Sequence, residues 1–84
     1  MRMERKEIEE RFLKVVTEVL GVAESQVKSD TDFDKDLCAD SLDLVEMLMR
    51  AEWEFDINLD EFQMEGIRTF GEAVDYLETK LKEL

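Results

Sequence analysis

Apolar residues recur at Ile8, Phe12, Val15, Val16, Val19 and Leu20, three and four positions apart, with charged residues between them. That spacing predicts one amphipathic helix from Glu4 to Leu20 with a single buried stripe, ended by Gly21 as its C-cap. Residues 22–40 lose the period. They carry Ser25, Ser29, Asp30, Thr31, Asp32, Asp34 and Asp36, interrupted by single apolar residues at Val27, Phe33 and Leu37, which reads as a loop pinned to a core at three points. A loop of that length is uncommon inside a compact domain and is usually functional.

Periodicity returns after Asp40, which is placed to cap a helix that begins at Ser41 and continues to Asp56. With about 100° per residue, Leu44, Leu48, Ala51 and Phe55 form one stripe. Leu42, Val45, Met49 and Trp53 form a second, rotated from the first by roughly 130°. One core does not easily bury both. The second stripe is therefore either covered on another side of a small bundle or left as an exposed apolar strip. In the latter case Asp40, Asp43, Glu46 and Glu52 rim it with negative charge and fit it to a basic partner. A short turn of helix is predicted near Asp60 to Glu65, with Leu59, Phe62 and Ile67 as anchors. Thr69 and Glu72 make a capping box for a last helix, whose stripe is Phe70, Ala73, Val74, Leu77, Leu81 and Leu84. The expected fold is all-α: a small bundle of three main helices plus one short helix, with a long loop between helices 1 and 2.

Composition then narrows the function. With 84 residues, 44% of them apolar, and no proline or repeat, the chain is expected to form one domain over residues 1–84. It holds 23 acids against 11 bases, a net charge of −12. Residues 1–29 balance, so the whole excess lies in residues 30–84. Such a chain is repelled by phosphate backbones, which argues against nucleic acid and anionic membranes and for basic protein surfaces. The absence of histidine and the single cysteine remove the usual general base, the usual zinc ligands and any internal disulfide framework. The start, Met1-Arg2-Met3-Glu4-Arg5, lacks the apolar stretch of a secretory signal, and no segment has the length of a membrane span. The expectation is a cytoplasmic monomer. Alternate aspartates from Asp30 to Asp36 look like the opening of a calcium loop, but the frame fails. Counted from Asp30, position six is Lys35 and position twelve is Ser41; counted from Asp32, they are Leu37 and Asp43. No dedicated metal site is expected, only weak relief of repulsion by divalent cations.

The segment Asp36-Leu37-Cys38-Ala39-Asp40-Ser41-Leu42-Asp43-Leu44-Val45-Glu46 resembles the signature of the acyl carrier proteins. Glu52-Trp53-Glu54-Phe55-Asp56-Ile57-Asn58-Leu59 is similar to the end of that family's second helix, and Phe70-Gly71-Glu72-Ala73-Val74-Asp75-Tyr76-Leu77 to its last helix. The likeness runs over most of the chain. It implies that Ser41 accepts a 4′-phosphopantetheine arm from coenzyme A, donated by a separate phosphopantetheinyl transferase that uses magnesium. The product would be a phosphoprotein that carries acyl groups as thioesters and catalyses nothing itself. The chain has no histidine to take a proton from Ser41, so activation has to come from the transferase. Read alone, Ser41 also fits a simple N-cap. Asp40 has two readings as well, the helix cap or a contributor to the transferase's magnesium site.

The resemblance further implies docking on acyl-handling enzymes with basic patches through Leu42, Asp43, Val45, Glu46, Met49 and Glu52. It implies an acyl chain sheltered beside Leu48, Ala51, Phe55, Leu59 and Ile67. Fatty acid biosynthesis is the expected pathway; the same motif would serve a polyketide or other specialised acyl pathway, and an unmodified acidic interaction subunit is the reading from another class. Three places depart from the family, one of them around Asn58 and Asp60, where a proline is common at the start of the short helix. Cys38 stands where a glycine is usual, which narrows the backbone choices there, and is expected to be a small half-buried apolar residue. Trp53 stands where an acid is more frequent, and either widens the docking strip or tucks against the short helix.

Overall fold

The spacing that begins at Ile8 folds as expected. In a computed structural model that describes residues 3–60 and 66–84, helix α1 spans Arg5–Leu20 and buries Ile8, Phe12, Val15 and Val16. It ends at Gly21, whose φ of 67° lies in the left-handed region that glycine enters without a Cβ penalty. Helix α2 spans Ser41–Phe55 and α3 spans Phe70–Lys82. Among the described residues no strand forms, and a single 3₁₀ turn, Glu24–Gln26, interrupts the long loop. α1 packs against both α2 and α3. The expected short helix falls mainly on residues 61–65, which lie outside the described residues.

The apolar stripes explain this packing. Phe12 stacks on Phe70 of α3 at 5.6 Å and meets Phe33 of the loop edge-on at 6.4 Å. These three rings join α1, the loop and α3, and such pairs add roughly 0.5–1.5 kcal/mol each beyond area burial. Val27 and Phe33 are buried and Leu37 is half-buried, so the three predicted pins hold. Two further loop residues go inside, Thr31 and Ala39. Thr31 is tolerated there because its hydroxyl accepts from the Lys28 N–H at 2.7 Å and donates to the Gln26 carbonyl at 3.4 Å.

The loop is also clamped by backbone to the start of α3. Phe33 N–H donates to the Arg68 carbonyl at 2.9 Å, Phe70 N–H to Thr31 at 3.0 Å and Gly71 N–H to Ser29 at 2.8 Å, around an isolated bridge between Asp32 and Thr69. The approach at Gly71 is so close that a Cβ there would stand 2.9 Å from the Ser29 carbonyl oxygen. α3 starts with the predicted capping box: Thr69 Oγ1 accepts from Glu72 N–H at 3.2 Å, and Glu72 Oε1 accepts from Thr69 N–H at 3.0 Å and Arg68 N–H at 3.1 Å. These donors hold the Glu72 carboxyl below its ordinary range. The stripe of α3 departs from expectation at its end: Leu84 lies beyond the last helical residue and is exposed, while Leu81 is half-buried. The helix stops at Lys82, so there is no further turn to carry Leu84 onto the core side.

Candidate functional site

Asp40 caps α2. Its Oδ1 accepts from the Asp43 N–H at 2.9 Å, and Asp43 Oδ2 accepts from the Asp40 N–H at 3.1 Å, a reciprocal box built from two acids. Of the two readings open for Ser41, the N-cap is therefore taken by its neighbour. Ser41 is the first helical residue and is exposed, and among the described residues its hydroxyl has no hydrogen-bond partner. The N–H groups of Ser41 and Leu42 likewise have no acceptor among the described residues. The head of α2 thus pairs a free hydroxyl with free backbone donors at the positive end of a helix, an arrangement that suits a phosphodiester. The chain has no histidine to take a proton from Ser41, and one oxygen of each neighbouring carboxylate, Asp40 Oδ1 and Asp43 Oδ2, is engaged in the cap.

The loop delivers Ser41 through a tight turn. Cys38 N–H donates to the Asp34 carbonyl at 2.9 Å and Ala39 N–H to the Phe33 carbonyl at 2.8 Å. Between them Cys38 adopts φ 57°. The expectation of a half-buried Cys38 is corrected: it is exposed, because a residue in the left-handed region at this turn turns its side chain away while Ala39 takes the inward place. The aspartates before it serve the turn. Asp32 Oδ1 accepts from the N–H groups of Asp34 and Lys35 at 2.9 and 2.8 Å, and Asp36 Oδ2 accepts from the Asp32 N–H at 2.8 Å.

α2 resolves the question of its two stripes. Leu48, Ala51 and Phe55 are buried and Leu44 is half-buried. The second stripe is bare: Leu42 is 79% exposed, Val45 40%, Met49 61% and Trp53 88%. Trp53 thus extends the strip. Pattern reading left Met47 in neither stripe, yet it is almost fully buried. About 60° from Leu44 around the helix, it flanks the first stripe, and a wider core face would have included it. Of the rim acids, Asp43 belongs to the cap, Glu46 lies 3.9 Å from Arg50, and Glu52 accepts from the Leu59 N–H at 2.8 Å. Arg50 also pairs with Glu18 of α1. On the inner side Leu59 and Ile67 are half-buried against the core that holds Ala51 and Phe55.

An accessible serine at the head of an acidic helix, beside an exposed apolar strip on a scaffold with three α-helices among the described residues, defines the carrier-domain class. Residues 10–77 match the family described as the phosphopantetheine attachment site. The chain is similar to the acyl carrier protein of Prochlorococcus marinus (strain MIT 9515), at 45% identity over 78 residues that cover 93% of this chain and 98% of that one. The chain belongs to the acyl carrier protein family, whose attached group is 4′-phosphopantetheine.

Proposed function

We propose that Ser41 carries the 4′-phosphopantetheine arm and that the chain, as one carrier domain over residues 1–84, presents acyl intermediates to the enzymes of fatty acid biosynthesis without catalysing any step. The observation that carries this reading is the free Ser41 hydroxyl at the first position of α2, next to N–H groups without acceptors. The arm supplies the thiol on which acyl groups travel. Everything else falls to the chain's own residues. Asp40 holds the helix head in place through Oδ1, while its Oδ2 has no partner among the described residues and is available to the transferase's magnesium. Leu42, Val45 and Met49 provide desolvating contact for partner enzymes, and Asp43, Glu46 and Glu52 provide the charge that a basic patch seeks. Leu48, Ala51, Phe55, Leu59 and Ile67 form the apolar side along which an acyl chain would lie. The single cysteine and the acidic surface fit a cytoplasmic monomer.

Coenzyme A, magnesium and a carrier-protein phosphopantetheinyl transferase should add one arm to the wild type and none to Ser41→Ala, read by intact mass. Modification at another residue overturns the assignment of Ser41. The loaded protein should then support malonyl transfer and elongation by a reconstituted set of fatty acid synthase enzymes; full loading without elongation would move the chain to a specialised pathway.

A further inference from the structure

The two ends of α2 offer opposite chemistry. At its head the N–H groups of Ser41 and Leu42 have no acceptor among the described residues and suit an anion. Its far end carries partial negative charge, with no Lys or Arg in the last turn and with Glu52, Glu54 and Asp56 gathered there. Met49, Glu52, Trp53, Asp56, Ile57 and Asn58 line one shallow groove at that end. The Glu52 carboxylate is taken by the Leu59 N–H. The side chains of Asp56 and Asn58 are exposed and have neither hydrogen bond nor ion pair among the described residues. The groove thus sets a bare indole beside one group that only accepts and one amide that both donates and accepts.

A free anion is repelled from such a groove, and a second copy of a chain with a net charge of −12 is opposed in the same way. A saturated apolar ligand would cover the ring but strip water from Asp56 and Asn58 without replacing its hydrogen bonds, which is costly. A neutral chain that alternates hydrocarbon with amides answers all three groups. Its N–H donates to Asp56, its carbonyl accepts from Asn58 and its methyl and methylene groups cover the indole. The pantetheine arm is such a chain, and its one charged group is the phosphodiester that joins it to serine. Attached at Ser41, it sets that charge at the positive end of α2 and its neutral amides toward the negative end. Its reach agrees: extended, it is about as long as five residues of chain, roughly 17 Å. Met49 and Trp53 stand roughly 12 and 18 Å from Ser41 along the helix, at 1.5 Å per residue. Tethering makes the contact intramolecular, so weak contacts suffice. We infer that this groove is a resting site for the free end of the arm, with Trp53 as its platform and Asp56 and Asn58 as its amide partners. The inference rests on the reading of Ser41 as the attachment residue. The platform is particular to this chain, since Trp53 stands where the family more often has an acid. A resting arm runs over Met49, so a partner enzyme that seats on Met49 displaces it and frees the thiol.

Trp53 is the chain's one tryptophan, so its emission reports on this groove alone. The wild type is loaded with coenzyme A, magnesium and a phosphopantetheinyl transferase, and loading is read by intact mass. On loading, the emission should shift to the blue and acrylamide quenching should fall by about half, because one of the two faces of a bare ring is covered. Nuclear Overhauser contacts should join the indole protons to the methylene protons at the thiol end of the arm. Asp56→Asn, which keeps a residue tolerant of the left-handed backbone, and Asn58→Ala should each restore part of the quenching. Circular dichroism checks that both fold. Ser41→Ala treated in the same way should keep the unloaded values. Full loading with unchanged quenching overturns the inference and leaves the assignment of Ser41 standing. So do contacts from the arm to Leu48, Ala51 and Phe55 in place of Trp53. Quenching that falls as the unloaded protein is concentrated assigns the groove to a second copy and also overturns it. No gain of mass on loading overturns the reading of Ser41, and the inference with it.

Discussion

Replacing Cys38 with glycine should stabilise the protein. Cys38 holds φ 57° between two backbone hydrogen bonds that close the turn ahead of Ser41. In that region the Cβ of an L-residue crowds the following carbonyl, at a cost of roughly 1–2 kcal/mol. Glycine removes the crowding but gives the unfolded chain more freedom to lose, roughly 0.5–1 kcal/mol. Since the Cys38 side chain is exposed, no packing is forfeited. The net gain is about 0.5–1 kcal/mol, which for a domain of this size raises the melting temperature by about 2–8 °C. Thermal unfolding followed by circular dichroism measures it, with Cys38→Ala as control. Alanine keeps the Cβ and removes only the thiol, so it should melt with the wild type. If Cys38→Gly melts at or below the wild type, or if alanine stabilises as much as glycine, the left-handed backbone is not the source of the effect. Asp56, at φ 53°, should respond in the same direction but less, because aspartate enters that region more readily.

Asp40→Ala should lower stability by about 1 kcal/mol in chemical denaturation while Ser41→Ala leaves it nearly unchanged, because the cap is Asp40 and not Ser41. Gly71→Ala should destabilise by about 1–3 kcal/mol, since its Cβ would press on the Ser29 backbone and part the clamp between loop and α3; a melt equal to wild type would refute the close approach. Glu72 has its folded pKa lowered by the N–H groups of Arg68 and Thr69. Its stabilisation is thus present above its ordinary value of 4.5 and fades as pH falls through the lower folded value. Wild type should exceed Glu72→Ala in stability at pH 7, with the gap closing in acid. Added magnesium or salt should raise the melting temperature, because residues 30–65 hold 13 acids against Lys35 and Arg50 and screening acts over about 10 Å at 0.1 M.

The helices were legible where one signal acted alone. For α1 a single stripe and a following glycine fixed both the face and the end, and for α3 the pair Thr69 and Glu72 marked the start. Two stripes on α2 gave periodicity no means of choosing, since burial depends on what lies opposite; there the exposure of Leu42, Met49 and Trp53 had to come from packing. Met47 escaped because a stripe drawn through the best-aligned residues is narrower than a real buried face. In the loop, pins such as Phe33 show as isolated apolar residues, but Thr31 is buried by virtue of two hydrogen bonds that no pattern of hydrophobicity records. Ser41 was visible as a residue and not as a geometry. Its freedom follows from Asp40 taking the cap, and serine and aspartate are equally good candidates for that role.

The clamp that joins residues 29–33 to residues 68–71 has a consequence for synthesis. Ser41 is made well before Arg68, Thr69 and Phe70 exist, so on the ribosome the loop that precedes it has no backbone to pair with. The same holds for the Phe12 ring, whose stacking partner is Phe70. These contacts span about half the chain, and pairings of such separation form late because loop closure must precede any gain from them. The turn ahead of α2 is therefore clamped only after the start of α3 has been made, so on the proposed function the start of α3 acts as a checkpoint on which chains are fit to receive the arm at Ser41.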